Sequence, residues 1–406
     1  MIPSEGLPQV LVLRDLAGAR AALERARVSS AGVAIMHNKA LFRVVRVSGL
    51  DVRAASILKQ EMLARGGEVA VSREVYEWRG DDADCLIMGT MTQFELLLPK
   101  LRLQPFGLRA LAGSLEAALA NYGNSRPACH PGITLTGEPL MMGILNVTPD
   151  SFSDGGLHSG LEAAVRSGLE MADEGAAFID VGGESTRPGA DTVSAEDELL
   201  RVLPVVKALA PSLPGRVSVD TYKARVAAEA LAAGAFMIND ISALRMEPEM
   251  VAVVRDAGCP LVLMHMLGEP KTMQQDPVYE DVVKELYTFF VERLNWAVDN
   301  GLKEENLLID PGLGFGKTTV HNLEILQGLD AFRSLGRPVL VGASRKRFLG
   351  EILGIDDAQG RDAATAATTV IATAAGAHMV RVHRVGLNRD AARVAWAVFG
   401  PRAQST

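Results

Sequence analysis

The chain has 406 residues, of which 48% are hydrophobic and 22% are charged, and its formal net charge is −8. This length suggests two domains, or one large domain with an extension, and the acidic balance disfavours a nucleic-acid partner. No run of about 20 apolar residues is available to span a bilayer, so we expect no membrane partner.

The three cysteines, Cys85, Cys129 and Cys259, are far apart and form no CxxC pair. This spacing disfavours a disulfide scaffold, a zinc site and an iron–sulfur site, and it is typical of a reducing cytosol. The first residues lack a basic segment followed by a long apolar run. We therefore expect no signal peptide and a cytoplasmic location.

Residues 1–125 are expected to form a small α/β domain. No motif in this domain indicates a chemistry, so its role stays unknown, with a structural or oligomerisation module as the simplest interpretation. Asp51 is expected to cap a helix that ends in two glycines. The predicted elements, in chain order, are a strand at 7–16, a helix at 16–26, one or two strands at 31–49, a helix at 51–67, strands at 68–78 and 84–91, and two further helices.

Residues 126–138 are predicted to be a linker, because this stretch is rich in Gly, Pro, Ser and Asn and lacks periodicity. Residues 139–400 then repeat one pattern: a short apolar run that ends in a polar residue, followed by a helical segment. Such runs indicate parallel strands buried on both faces. The runs are LMMGILN, AAFIDVG, GRVSVD, AFMIND, CPLVLMH, NLLID, RPVLVGAS and AHMVRVH.

Eight such units in about 260 residues predict a (β/α)8 TIM barrel. A doubly wound open sheet is the alternative, and it is disfavoured because no GxGxxG turn follows the first strand. The predicted fold class is therefore α/β, a TIM barrel preceded by a small α/β N-terminal domain.

Polar side chains end the predicted strands, and the carboxyl ends of the strands build the active site in such barrels. Single members have structural interpretations: Asp220 can cap a helix, Asn239 can satisfy a turn, and His265 can be a hydrogen-bonded rim histidine. The whole set is hard to explain by packing. Its members are Asn146, Asp180, Glu184, Ser185, Thr186, Arg187, Asp220, Asn239, Asp240, His265, Asp310, Ser344, Arg345, Lys346, Arg381 and His383.

These rim residues are of two chemical kinds. Short acceptors suit a flat heterocycle with amino and ring N–H donors, and cationic groups suit phosphate oxygens. A pocket with both halves implies a polar ring that carries a phosphate or diphosphate. The acceptors are Asp220, Asn239 and Asp310, and the cationic groups are Arg187, Lys346, Arg381 and His383.

Long polar loops follow the first two strands, and loops of this length are uncommon unless they have a function. The first carries Phe152, an aromatic of exposed type, and Gly155 and Gly156 would permit it to close over a ligand. DPGLGFGK at 310–317 lacks the P-loop spacing. We expect a glycine-rich rim loop that lets Phe315 lie beside the ligand.

Eight motifs between about residue 139 and about residue 395 resemble the successive signatures of the dihydropteroate synthase family, in family order. They are NVTPDSFSDGG, DVGGESTRPGA, VSVDT, INDI, LMHMLGEPKTMQ, LIDPGLGFGK, VGASRK and RVH. The N-terminal domain lies outside them and resembles the extra N-terminal segments of some bacterial and archaeal members.

The resemblance implies a reaction in which the amine of p-aminobenzoate displaces pyrophosphate from 6-hydroxymethyl-7,8-dihydropterin pyrophosphate. The product would be 7,8-dihydropteroate, an intermediate of folate biosynthesis. It also implies Mg²⁺ as the cofactor, both small molecules as partners, sensitivity of the family to sulfonamides, and a homodimer formed through the helices of the barrel.

The resemblance also implies a role for each motif residue. Asn146 would hold Mg²⁺ and the pyrophosphate, and turnover would depend on Asp220, Asp310, Lys346, Arg381 and His383. The pterin would be bound by Asp220, Asn239, Asp310 and Lys346 and enclosed by Met264, Phe315 and Gly342. The p-aminobenzoate and pyrophosphate would contact Asn146, Phe152, Thr186, Arg187, Pro188, Ser344, Arg381 and His383.

One motif departs from the family: RVHDV reads RVHRV here, so Arg384 replaces an acid. This change could alter the orientation of His383 or raise the local positive charge. Two alternative functions stay open, a methyltetrahydrofolate:corrinoid methyltransferase-like enzyme and a non-catalytic pterin-binding protein. The methyltransferase needs no pyrophosphate site, so the SRK, RVH and NVTPDSF motifs disfavour it. The intact loops and the cationic rim residues disfavour the non-catalytic protein.

Overall fold

The computed structural model describes residues 7, 9–77, 79–147, 156–185, 192–269 and 271–400, with only the backbone of 156–159 described. The chain divides into two compact units between Gly123 and Asn124. None of the helices in these ranges combines the length and apolar character that crossing a bilayer requires.

The first unit is built on a three-stranded antiparallel sheet, which confirms the predicted small α/β domain. Its strands are β1 (Phe42–Asp51), β2 (Glu68–Val71) and β3 (Asp82–Thr90), and β3 lies in the middle. Side chains of alternate strand residues pack with the helices in one buried cluster. The helices are α1 (Leu16–Arg25), α2 (Ser30–Met36), α3 (Val52–Leu63), α4 (Arg73–Glu77), α5 (Met91–Leu101) and α6 (Leu108–Gly123).

The predicted cap of α3 is confirmed, because the Asp51 carboxylate accepts a hydrogen bond from the backbone N–H of Arg53. The predicted strand at 7–16 is wrong for the residues described there, which form no strand. Val10 is 92% exposed, so no neighbouring element buries this apolar run.

Two further strand predictions in this unit are wrong in part. Residues 30–36 are helix α2, which begins where the Ser29 hydroxyl accepts a hydrogen bond from a backbone N–H. Residues 73–77 are the short helix α4, on which Arg73 and Glu77 form an ion pair one turn apart. The apolar residues of these two segments indicated strands. The helices form instead, with a cap at the start of α2 and an ion pair along α4.

The second unit confirms the predicted barrel: eight parallel strands alternate with helices. The strand order along the sheet is sequential, and a bridge between Ile309 and Val339 closes the cylinder. The strands are β4 (Leu140–Asn146), β5 (Phe178–Gly182), β6 (Val217–Asp220), β7 (Met237–Asp240), β8 (Leu261–Met264), β9 (Leu307–Asp310), β10 (Leu340–Val341) and β11 (Met379–Val382).

Helices lie between and after these strands, and three 3-10 turns at 304–306, 329–335 and 359–361 complete the connections. Val217, Val219 and other outward strand residues pack against the helices in the largest buried cluster. The helices are α7 (Gly156–Asp173), α8 (Ala195–Leu209), α9 (Ala224–Ala232), α10 (Met250–Ala257), α11 (Val282–Asp299), α12 (Thr319–Gln327), α13 (Arg347–Leu353), α14 (Asp362–Ala374) and α15 (Val385–Phe399).

The inside of the barrel changes from apolar to polar along the strands. At the amino-terminal end, inward side chains such as Met142, Phe178 and Met237 form an apolar layer, and Ile133 from the segment 126–138 is buried with them. At the carboxyl end the inward positions carry acids, amides and cations. This end therefore holds the candidate site, as the barrel geometry predicts.

Candidate active site

Asp180 lies at the centre of a hydrogen-bonded set in the mouth of the barrel. It is fully buried on β5, and its Oδ2 accepts hydrogen bonds from Asn239 Nδ2 at 3.0 Å and from Arg381 Nε at 2.6 Å. Arg381 also donates from Nη2 to Asp220 Oδ2 at 2.7 Å. Four strands thus bring two carboxylates, an amide and a guanidinium into contact.

The charges in this set do not balance, since one guanidinium lies between two buried carboxylates. Burial raises the pKa of Asp220, and the nearby Arg381 opposes that rise. Burial would lower the pKa of Arg381, but the charges of Asp180 and Asp220 hold it above its ordinary value. The ion pairs use only part of the guanidinium, so its remaining N–H groups can donate to an anion.

Two acceptors of this set point to a ligand with donors. Asp180 Oδ1 and Asn239 Oδ1 are buried, and neither accepts a hydrogen bond from the part of the chain that the structure describes. Unpaired buried acceptors are costly and rare in folded proteins. A ring with N–H and amino groups would satisfy them.

Asp310 ends β9 on the same side of the barrel and is 4% exposed. Its Oδ1 accepts a hydrogen bond from the backbone N–H of Gly312 at 2.8 Å. Burial outweighs this bond and raises the pKa of Asp310 to about 6. The group can therefore change its charge near neutral pH.

Two glycines keep space open beside these acids. A methyl group added at Gly342 would lie 3.7 Å from Asp310 Oδ2 and 3.9 Å from Arg381 Cβ. One added at Gly182 would lie 3.7 Å from Asp220 Oδ2 and 3.9 Å from Asn146 Oδ1. The absent side chains leave room for a flat ligand between the strands.

Aromatic and thioether side chains form one wall of the mouth. Phe315, in the loop after β9, is buried in a cluster that includes Met264 and Met266. Lys346 extends over the Phe315 ring, with Nζ 3.9 Å from its centroid. That Phe315 lies beside a bound ligand stays a prediction.

Ser344 and His383 form a second polar pair, and they follow the neighbouring strands β10 and β11 in the sequence. Ser344 Oγ lies 2.9 Å from His383 Nδ1 and also accepts a hydrogen bond from the His383 backbone N–H at 3.2 Å. This contact fixes the orientation of the imidazole at Nδ1. Phe152, Thr186, Arg187 and Pro188 lie outside the described residues.

The comparisons with known proteins decide the family. A family profile described as pterin binding enzyme matches residues 142–383, which is more than half of the chain and includes the strand ends just described.

The chain belongs to the pterin-binding enzyme family.

Individual relatives of this pterin-binding chain agree with the profile. The dihydropteroate synthase of Escherichia coli strain K12 is 47% identical over 265 residues, which are 65% of this chain and 93% of that protein. A solved structure of Xanthomonas albilineans dihydropteroate synthase with 4-aminobenzoic acid has a TM-score of 0.62 and 48% identity, and it covers 68% of this chain and 98% of that one.

A longer relative also matches the N-terminal unit. A probable bifunctional folylpolyglutamate synthase/dihydropteroate synthase of Halobacterium salinarum is 45% identical over 384 residues, which are 94% of this chain. The match covers 46% of that protein, so the pterin-binding chain spans about half the length of this relative.

The structure adds one feature to the predicted site. The sequence divided the rim residues into acceptors for a ring and cations for a phosphate, and the structure shows the cation Arg381 paired with the acids Asp180 and Asp220. The two halves meet at this guanidinium because inward residues of β5, β6 and β11 share one narrow barrel interior.

Asp180 was recognised as a strand-end residue but was not assigned to the site. A signal was available, since it is a charged residue inside the apolar run AFIDVG. A carboxylate in a buried strand needs a cation or donors, and Arg381 and Asn239 supply both.

Lys317 and His265 support the glycine-rich loop after β9. The buried Lys317 Nζ donates to the carbonyl oxygens of Gly312 at 2.9 Å and Phe315 at 3.0 Å and lies 3.0 Å from His265 Nδ1. Burial lowers the pKa of Lys317 to about 7, and burial also lowers the pKa of His265 well below its ordinary value. His265 is thus the hydrogen-bonded rim histidine of the structural interpretation.

A second buried ion cluster includes Glu184, which comes just before residues 186–191 in the sequence. Lys223 donates to Glu184 and to Glu198, the latter at 2.5 Å, and Tyr222 Oη lies 3.4 Å from Glu184. The cluster fixes the start of the ESTRPG motif. No local sequence pattern predicts this cluster, because its members come from two separate βα units, β5 with α8 and β6 with α9.

Proposed function

We propose that the chain is a dihydropteroate synthase. The amine of p-aminobenzoate would displace pyrophosphate from 6-hydroxymethyl-7,8-dihydropterin pyrophosphate and give 7,8-dihydropteroate. This proposal rests on the buried hydrogen-bonded set around Arg381. In this set, carboxylate and amide oxygens that have no hydrogen-bond partner among the described residues lie near a guanidinium whose remaining N–H groups can donate. Relatives named dihydropteroate synthase, matched over nearly their whole length, support the same activity.

The acids would bind the pterin. Asp220, Asn239 and Asp310 offer acceptors to the ring and amino N–H groups, and the space beside Gly342 accommodates a flat ring. Met264 and Phe315 would line its faces. Lys346, held over the Phe315 ring, would donate to a ring acceptor.

The diphosphate would lie at the outer side of the same cavity. The remaining guanidinium N–H groups of Arg381 and the His383 imidazole would donate to its oxygens. Because Asp180 and Asp220 hold the guanidinium, it would be positioned before the substrate binds. Such preorganised donors stabilise charge that develops on a leaving group.

Mg²⁺ fits this arrangement with Asn146 as its protein ligand. Asn146 Oδ1 and Asp220 Oδ2 converge over Gly182 at the end of β4 and β6. Among the described residues no group of three His, Cys, Asp or Glu side chains forms a complete metal site. That suits a cation that enters with a diphosphate and keeps most of its waters. When bound, it would neutralise charge on the departing pyrophosphate.

The p-aminobenzoate would lie nearer the solvent. Phe152, Thr186, Arg187 and Pro188 would contribute to this side, together with Ser344 at the end of β10. Ser344 already bonds to His383, so the p-aminobenzoate and diphosphate regions would adjoin.

In the reaction the methylene C–O bond to the pyrophosphate breaks and a C–N bond to the aniline nitrogen forms. The amine proton leaves with solvent or the pyrophosphate, since an anilinium is acidic and needs no strong base. Positive charge on the methylene can spread into the pterin ring. The nearby carboxylates Asp220 and Asp310 would stabilise that charge.

The test of this function is pyrophosphate release by the purified chain with Mg²⁺ and the pterin pyrophosphate. We expect release only when p-aminobenzoate is added, with dihydropteroate formed in equal amount. Release without p-aminobenzoate would indicate hydrolysis. No release at all would favour a non-catalytic pterin-binding protein.

A homodimer through the helices of the barrel is part of the proposal. Helix α12 packs against α13 and α14, and these helices expose apolar side chains, including Val320 at 61% and Ile352 at 52%. Exposed apolar groups on adjacent helices suit an interface between subunits. Sedimentation at micromolar concentration would test it.

A cytoplasmic location is proposed because all three cysteines are free thiols.

A further inference from the structure

Arg345, the middle residue of the SRK motif, has an unusual backbone conformation. Its φ is 57°, in the left-handed region that residues other than glycine, asparagine and aspartate rarely adopt. The residues on each side are Ser344, which contacts His383, and Lys346, which lies over Phe315. A strained residue therefore separates two side chains of the site.

A single segment, residues 361–365, binds both backbone polar groups of Arg345 and two of its guanidinium nitrogens. The backbone N–H of Arg345 donates to Thr365 Oγ1 at 3.0 Å, and its carbonyl oxygen accepts from Arg361 Nη1 at 3.1 Å. Its side chain donates from Nε and Nη2 to the two oxygens of Asp362, at 2.7 and 2.9 Å. The guanidinium thus points to α14 and not into the mouth of the barrel.

The segment that holds Arg345 is itself fixed. Thr365 is 1% exposed, and its hydroxyl donates to the Arg361 carbonyl oxygen at 3.0 Å. Arg361 also donates to the carbonyl oxygens of Ile355 and Asp356, at 3.1 and 2.6 Å. A rigid partner of this kind can hold the left-handed residue against its intrinsic preference.

The ion pair between Arg345 and Asp362 differs from an ordinary surface pair. Both side chains are about four-fifths buried, and the geometry is bidentate. The guanidinium of Arg345 lowers the pKa of Asp362, and the charges of Arg384 and His383 act in the same direction. Asp357 is a further carboxylate near Arg345.

We propose that Arg345 and Asp362 are positioning residues, which hold the left-handed turn that directs Ser344 and Lys346 into the site. The proposal rests on the proposed function only for its activity readout. In this account the guanidinium touches no substrate, so its whole effect passes through the backbone. A glycine at 345 would take the same conformation without the ion pair.

The test compares four variants of the full chain by kcat/KM for the pterin pyrophosphate. Arg345→Ala and Asp362→Asn should lower it about tenfold, since strain of this kind shifts an equilibrium roughly five- to thirtyfold. Arg345→Gly should stay within about threefold of the unchanged chain. The double variant Arg345→Gly with Asp362→Asn should match Arg345→Gly alone.

Asp390→Asn is the matched control, because Asp390 pairs with Arg389 on the exposed surface of α15. It should leave kcat/KM unchanged. Equal losses in Arg345→Gly and Arg345→Ala would overturn the proposal, because they would show that the guanidinium itself is needed. Normal activity in Asp362→Asn would overturn it as well.

Amide hydrogen exchange gives a second readout that needs no activity. Asp362→Asn and Arg345→Ala should speed exchange of the Arg345 N–H, which bonds to Thr365, whereas Asp390→Asn should not. Unchanged protection in both variants would contradict the proposal. An unchanged chain that releases no pyrophosphate would reject the proposed function alone, because the exchange pattern would still report on the turn.

Discussion

A substitution at Asp310 gives the most direct test of the proposed chemistry. It is buried, it faces the space beside Gly342, and asparagine replaces it with little change in shape. Removing its charge should take away stabilisation of positive charge on the pterin methylene. We expect Asp310→Asn to lower kcat roughly 10²- to 10³-fold, the range found when one preorganised electrostatic group is lost.

Steady-state pyrophosphate release would measure this effect, with circular dichroism to show that the fold is intact. Asp299→Asn, at an exposed position near the end of α11, is the control and should keep normal turnover. Near-normal turnover in Asp310→Asn would remove Asp310 from the reaction.

The raised pKa of Asp310 predicts how the free energy of unfolding depends on pH. Its pKa is raised from 3.8 to about 6 in the folded chain, so the folded state holds the proton more tightly than the unfolded state. The stability that this proton contributes is complete below pH 3.8 and is lost as the pH rises through 6. The rise corresponds to ~3 kcal/mol.

Asp310→Asn lacks this titration, so the difference isolates it. Between pH 4 and pH 7, the free energy of unfolding of the unliganded chain should fall by about 2.4 kcal/mol relative to the variant, because part of the ~3 kcal/mol is already lost at pH 4. Urea titrations at both pH values would measure the difference. Parallel pH dependence in the two proteins would show that Asp310 is not a buried, protonatable group.

The sequence predicted which residues line the mouth, but not how they pair. The continuous apolar runs that end in polar residues placed Asp220, Asn239, Asp310 and Arg381 at or near the ends of their strands. Arg381 on β11 and Asp180 on β5 are 201 positions apart in the sequence. Their ion pair forms because β4 pairs with both of these strands in the barrel. No local pattern carries that information.

At the scale of elements, the glycine-rich loop after β9 is the most constrained segment near the site. Gly312 has a φ of +65°, and a Cβ there would lie 2.0 Å from the carbonyl oxygen of His265. Gly312→Ala would combine backbone strain with a clash against backbone. It should lower the free energy of unfolding by about 3 kcal/mol or more.

Gly354 provides a matched comparison at the end of α13. Its φ is +67°, but an added Cβ would meet no atom within 4 Å among the described residues. Gly354→Ala should cost ~1 kcal/mol, from the backbone alone. Equal destabilisation of the two variants, measured by urea unfolding, would show that the close approach to His265 does not matter.

The elements of the barrel were easier to predict than those of the first unit. Each barrel strand is buried on both faces, so its apolar run is continuous and ends in a polar residue. In the first unit, α2 and α4 are short, and their stretches are apolar or mixed. There, the helix depends on a cap at Ser29 and an ion pair at Arg73, which are weaker signals than burial.

At the scale of the whole molecule, each unit has its own buried core. The E. coli relative matches 65% of this chain over 93% of its own length, so it has little room for a counterpart of the first unit. A chain that begins at Asn124 should therefore fold and keep kcat within about threefold. Loss of turnover in a folded fragment would assign the first unit a part in catalysis.

The predicted two-part organisation and the barrel both follow from composition and periodicity, whereas the role of the first unit does not. The alignment with the Halobacterium salinarum protein includes the first unit. The buried residues of this unit are apolar and form a core. Packing residues specify a fold without specifying a partner. The sequence therefore carries the chemistry of residues 139–400 and only the architecture of residues 1–125.

The central claim is that one cavity binds a pterin through its acids and a diphosphate through its cations. Calorimetric titration with 6-hydroxymethyl-7,8-dihydropterin and with its pyrophosphate ester tests it most directly. Asp310→Asn should weaken both ligands by a similar factor, and His383→Ala should weaken only the ester, about tenfold. If His383→Ala weakened both ligands equally, or if Asp310→Asn weakened neither, the two parts of the substrate would not bind as described.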